Sequence, residues 1–176
     1  MKKTIEKKFA TKFHEIASKG ICLKKHDDAI NNLIEAMTLW MINLEKELGP
    51  KAREVIKNVQ YEFGKKMALK IKEEYKIGNT LSDSIDLMWM FIIPFNIKMK
   101  VTKIDDNRFR EEKTICPIYN VFKEHNVDFC EEFCISMTKG WLAAINPNLN
   151  CEMVKTASND QYCIKDIFIV KEQKNE

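Results

Sequence analysis

The spacing of apolar residues changes character about halfway along the chain. In the first half they recur every three or four positions, the repeat of one helical face. Ile5, Phe9, Phe13 and Ile16 begin this pattern, and Gly20 closes it. A second, unbroken stripe runs through Ile30, Leu33, Ile34, Met37, Trp40, Met41, Leu44 and Leu48. Gly49-Pro50 then ends one helix and opens another, glycine just past an end and proline just inside a start. Ala52, Val55, Ile56, Val59, Phe63, Met67 and Ile71 form the third stripe. So short a turn predicts an antiparallel helical hairpin. Gly64 sits beside this stripe at a cost of about 1 kcal/mol relative to alanine, which points to a close helix approach or a bend. Thr80 with Asp83 three residues on reads as an N-cap, predicting a helix over 81–92 that ends before Pro94.

The period then drops to two. Ile97, Met99 and Val101 alternate with Lys98, Lys100 and Thr102, Asp105-Asp106-Asn107 makes a turn, and Phe109 to Ile115 returns as a more polar strand. Pro117 opens a short helix with Ile118, Val121 and Phe122 on its apolar side, closed at Asn126. Asp128 is the expected N-cap of a further helix carrying Phe129, Cys130, Phe133, Cys134, Met137, Trp141 and Ile145. Leu149 to Thr156 and Gln161 to Val170 read as a hairpin around Ser158-Asn159-Asp160. Helices, hairpin, two helices, hairpin is an α+β order: N-terminal helices packed on a small antiparallel sheet of about four strands. One domain over 1–176 is expected, with an N-terminal helical segment at 1–28 and a frayed charged tail at 171–176.

Composition narrows the class. A chain of 176 residues can bury roughly 70% of its extended surface, enough to fold without disulfide or metal. With 45% hydrophobic and 31% charged residues, and only five Gly and four Pro, disorder and low-complexity architectures are excluded. The net charge of +3 lacks the basic excess of a strong nucleic-acid binder. The longest apolar run, Leu87 to Phe95, is nine residues, about half of what a membrane span needs. The basic start, MKKTIEKKFATKF, has no apolar segment of the secretory kind, so a cytoplasmic protein is expected. Six cysteines are too few for a disulfide scaffold and in a reducing compartment stay available as thiols, metal ligands or a nucleophile.

Four of those cysteines fall at marked places. Cys116 precedes Pro117 and so becomes the N-cap of a helix, where the dipole is expected to lower a thiol pKa, with Lys113 and Arg110 nearby. Cys130 and Cys134 share one helical face and have the spacing to supply two ligands to a metal, although the same face reads equally as core. Cys163 opens the last strand together with Lys165, Ile167 and Ile169, opposite Tyr162, Ile164, Asp166 and Phe168, and alternation leaves open which set faces inward. Cys22 and Cys151 show no partner pattern. An eight-residue helix separates its ends by about 12 Å, so His125 is expected as a surface residue favoured by the helix dipole and not as a base for Cys116. Ser-His-Asp, phosphate-loop, GxGxxG, HExxH and paired CxxC patterns are all missing. Met88 to Phe95 is rich in Met and aromatic residues and either fills the core or lines an apolar pocket, for which Trp89, Phe91, Phe133 and Trp141 are the candidate walls.

The second half resembles the L-2-amino-thiazoline-4-carboxylic acid hydrolase-like family. The resemblance is carried by Cys116-Pro117 after a strand, Phe129-Cys130 with Cys134 at a helix start, Ile145-Asn146-Pro147-Asn148-Leu149 before a strand, and Asp160-Gln161-Tyr162-Cys163 opening the last one. Leu48-Gly49 followed by Lys51 to Val59 and Gly64 extends it to roughly residues 29–170. Membership implies a hydrolase acting on a non-peptide carbon–nitrogen bond, with Cys116 and Cys163 as the catalytic candidates. It equally allows a Zn or Fe ion held by Cys116, Cys130, Cys134 and Cys163. Where an acidic residue is expected three positions after the helix cysteine, this chain has Phe133 or Met137. The same layout also looks like 4-vinyl reductase-type small-molecule-binding domains, which implies a non-catalytic sensor with a small-molecule ligand or a bound metal. A homodimer formed through the helical hairpin is the third expectation.

Overall fold

The computed structural model describes residues 23–156 and 163–170. The stripe from Ile5 to Ile16, the Gly20 stop, Cys22, the turn at 158–160 and the tail from 171 lie outside the described residues. The remaining chain folds as α+β: α1 (Leu23–Leu48), α2 (Lys51–Tyr75), α3 (Leu81–Ile92), β1 (Lys98–Asp105), β2 (Arg108–Ile115), α4 (Pro117–Glu124), a π-helical turn (Glu131–Ile135) running straight into α5 (Ser136–Ile145), β3 (Leu149–Lys155) and β4 (Ile164–Ile169). All strand pairs are antiparallel, in the order β1-β2-β4-β3.

Local signals set the boundaries. At α3 the Thr80 hydroxyl accepts from the Asp83 amide and the Asp83 carboxylate accepts from the Thr80 amide, a complete capping box. Gly49 turns the chain with φ +60°, a conformation glycine adopts without strain. The Asp128 carboxylate accepts from the Cys130 amide at 2.9 Å, so it caps the last helical stretch as its position predicts. That stretch departs from the expected regular helix, because it starts with the π turn. Such a turn widens the repeat locally and re-aims side chains.

The helical stripes are buried differently from their sequence pattern. On α2 the buried line is Ala52, Ile56, Gln60, Gly64 and Ala68, while Val59 and Phe63 stay about half exposed. The reason is the partner, since α5 crosses α2 at backbone distance. A Cβ on Gly64 would overlap the Met137 carbonyl, and one on Gly140 the Tyr61 carbonyl. Small residues therefore form this seam, and Gly64 marks a close approach. Among the described side chains of α1, Ile34, Thr38 and Met41 are buried, and Leu33, Trp40 and Leu48 remain exposed. The core lies between the helices and one face of the sheet, and Phe122 packs edge-on against Phe129 and Phe133 at 5.9 and 6.2 Å.

Strand register decides which residues meet the helices. Glu111 of β2 stands opposite Lys165 of β4, and Phe109 opposite Ile167. Cys151 and Met153 of β3 pair with Ile167 and Lys165. The inward face of the last strand is thus that of Lys165 and Ile167, with Cys163 just ahead of it. The opposite face carries Asp166, whose carboxylate receives Arg110 at 2.8 and 2.9 Å and Arg108 at 3.1 Å.

Candidate functional site

Buried charge gathers at the centre of the inward face. Glu111, Lys113 and Lys165 are 1%, 7% and 4% exposed. Lys113 Nζ lies 3.2 Å from Glu111 Oε1, and Lys165 Nζ lies 2.9 Å from Oε2. Neither approach has hydrogen-bond alignment, so these are ion pairs held at an angle to the carboxylate. Lys165 also donates to the Thr138 hydroxyl at 3.0 Å, and that hydroxyl donates to the Cys134 carbonyl at 2.8 Å. Burial opposes the charge of Glu111, but the summed attraction of the two ammonium groups outweighs it and holds the carboxyl below its ordinary value. Burial likewise opposes the charge of Lys113, and Glu111 outweighs it, raising that pKa.

Two cavities flank this cluster and share Lys113, Cys134 and Lys165 as a common wall. The polar one, about 230 Å³, lies between β2, the start of α4, the π turn and β4. Cys116, Cys130, Cys134 and Cys163 all line it, together with Tyr119, Asn120, Lys123 and Met153. The apolar one, about 200 Å³, lies between the helices and the sheet. Met37, Met67, Phe91, Phe133, Met137 and Trp141 furnish its walls, and half-exposed Leu33 and Phe63 its rim. Almost no polar surface reaches it, so Lys113 and Lys165 face it with their aliphatic stems.

The candidate residues are placed as follows. Phe91, Phe133 and Trp141 line the apolar cavity, with the Phe91 and Trp141 rings 4.1 Å apart. Trp89 lines neither cavity; its half-buried ring packs against the edge of the core. Cys116 is the N-cap of α4, with extended backbone and no capping hydrogen bond from its sulfur. The four thiols share one cavity, yet among the described residues no three His, Cys, Asp or Glu side chains are placed to hold a metal ion. Burial pushes Cys130 and Cys163 up and Cys134 to about 12. A protonated Cys163 is a poor nucleophile at neutral pH. Cys151 is buried and pushed to about 11 by that burial, against the core side of the π turn. His125 is the partly exposed C-cap of α4, as expected, and its Nε2 lies 2.7 Å from Glu35, which ties α4 to α1.

Glu111 and Lys165, the centre of the site, were not singled out by pattern reading. β2 read as the more polar strand of its hairpin, and alternation along β4 left open which set faced inward. The signal that finds them is the pairing register, which sets a carboxylate directly opposite an ammonium on the inward face.

No family model and no curated protein matches the chain. The fold is shared with solved structures. A crystal structure of the phenol-responsive sensory domain of the transcription activator PoxR with phenol aligns over 77% of this chain and 74% of that one, with TM-score 0.60 and 11% identity. A trafficking protein particle complex subunit 3 from Naegleria fowleri, covalently bound to palmitic acid, aligns over 78% of this chain and 95% of that one, with TM-score 0.53 and 12% identity. At these identities the likeness establishes the architecture. Among the described residues no helix is long and apolar enough to cross a membrane.

Proposed function

We propose that this protein is a non-catalytic domain that binds a small apolar molecule between its helices and its sheet. The apolar cavity carries this reading: about 200 Å³ walled by Met, Phe, Ile and Trp side chains, with its polar neighbours turned away. An apolar cavity of about 150 Å³ suffices to hold benzene in a protein interior. Methionines suit such a wall because the thioether adapts to ligand shape. The phenol sensor and the palmitate-bearing subunit, which share the architecture, are consistent with this use of the fold. Methionine-methyl NMR with toluene tests it. Saturable shifts at Met37 and Met67, with Met153 unmoved, are expected; no saturable shift at either methyl up to the solubility of toluene defeats the reading.

A second reading, the carbon–nitrogen hydrolase, is favoured by the gathering of four thiols on one polar cavity. Cys116 is its nucleophile, being half-buried at the N-cap of α4, whereas Cys130 is buried and burial pushes Cys134 up to about 12. Turnover of 2-amino-thiazoline-4-carboxylic acid that disappears in Cys116→Ser, with the circular dichroism spectrum unchanged, is the expected result. Absence of turnover in the unaltered protein removes this reading.

A further inference from the structure

The polar cavity is a different kind of space from its apolar neighbour. Three lysines, Lys113, Lys123 and Lys165, line it, and no carboxylate does. Glu111 lies behind the lysine pair and offsets one of the two buried ammonium charges, so one cation remains uncompensated in the interior. An unbalanced charge in a low-dielectric site is costly unless a counter-charge reaches it. Lys123 is exposed at the rim, where its charge steers anions without paying for burial. The α4 helix turns its N-terminal residues, Cys116, Tyr119 and Asn120, toward the same space, adding the positive end of its dipole. Ile115, Ile135, Met153 and the thiols complete the wall with carbon and sulfur.

We propose that this cavity is a binding site for a small organic monoanion, a carboxylate carried on a short carbon skeleton. Its head meets Lys113 and Lys165, and its chain lies against Met153 and the thiol-lined wall. The single excess charge sets the head at one negative charge. A volume of about 230 Å³ sets the whole at no more than about nine heavy atoms, scaling from benzene in about 150 Å³. The proposal is independent of the apolar-cavity reading, since Met153 lines the polar cavity and not the apolar one, and Met37 and Met67 line the apolar one and not the polar one.

Hexanoate and its neutral counterpart hexan-1-ol are the probes, in chloride-free buffer, with methionine-methyl NMR as readout. Hexanoate is expected to shift Met153 saturably, about ten-fold or more tighter than hexan-1-ol at that methyl, the usual contrast of a charge-assisted against a neutral contact. Lys165→Gln, which leaves Glu111 balanced by Lys113, is expected to abolish that preference, and Lys123→Gln to reduce it about two-fold and only at low salt. If Lys165→Gln does not fold, the Lys123→Gln result and the comparison of the two probes on the unaltered protein still decide the matter. An unmoved Met153, or equal binding of acid and alcohol, overturns the site while leaving the apolar cavity intact. Inorganic phosphate displacing hexanoate at lower concentration overturns the carboxylate assignment. Toluene failing at Met37 and Met67 while hexanoate succeeds at Met153 removes the proposed function and keeps this site.

Discussion

The two faces of the sheet carry charge clusters of identical composition, one carboxylate between two cations. On the outer face Asp166 receives Arg108 and Arg110, and both guanidinium side chains are more than a third exposed. Arg108 also stacks over Phe168 at 5.1 Å and approaches Glu152 at 3.8 Å. Water and a second carboxylate absorb the excess positive charge there. On the inner face Glu111 meets Lys113 and Lys165 with all three side chains buried. No second carboxylate lines the cavity inside. Geometry differs as well: Arg110 grips Asp166 through two aligned hydrogen bonds, whereas the inner lysines reach Glu111 off-axis. One composition thus builds a surface clamp on one side and an unsatisfied electrostatic site between two cavities on the other.

The largest expected contrast comes from removing each carboxylate in turn. Glu111→Gln leaves two buried ammonium groups without a counter-charge and is expected to cost about 3–5 kcal/mol in urea-induced unfolding. Asp166→Asn leaves its cations in contact with solvent, which discounts the loss, and about 1–2 kcal/mol is expected from the same measurement. Equal losses would erase the distinction between the faces.

Acid titration comes next. Glu111 is held below its ordinary 4.5 by the two lysines acting against burial, and Asp166 below 3.8, first by its hydrogen bond from Arg110. Both carboxyls therefore release their protons more readily in the folded chain than in the unfolded one. The stability they confer is complete above the unfolded values and is lost as pH falls through the folded ones. Unfolding free energy is expected to decline below about pH 4.5, with a shallower acid limb in Glu111→Gln and in Asp166→Asn. An acid limb unchanged in both variants contradicts this assignment.

Salt is expected to have the smallest effect. At 1 M salt the screening length is about 3 Å, so the cost of Asp166→Asn is expected to shrink while that of Glu111→Gln persists. A parallel decrease in both would place the inner cluster in contact with water.

Periodicity was enough to find the elements. Thr80 and Asp83, Gly49-Pro50 and Cys116-Pro117 mark helix ends because capping and turn chemistry act within four residues of sequence. Burial was less legible. The apolar stripe on α2 includes Val59 and Phe63, yet the buried line runs through Ile56, Gln60 and Gly64, because helix α5 docks on that side and comes to backbone distance at Gly64. The cysteines stood out by type, and Cys116, Cys130, Cys134 and Cys163 reached one cavity. Their spacing along the chain could not reveal that Lys113 stands among them or that burial keeps three of them protonated.

Local pattern by itself determined the order of helices and hairpins, the caps, and the α+β class, since each rests on interactions between residues near in sequence. Tertiary structure alone decided which face of each strand turned inward, and with it that Glu111, Lys113 and Lys165 would meet in the interior between two cavities. A strand shifted by one residue would expose that cluster and bury the arginine clamp instead, because side chains alternate faces at every position. Pairing register is a long-range property, set by what the helices cover, and it is what separates a solvated salt bridge from a charged binding site.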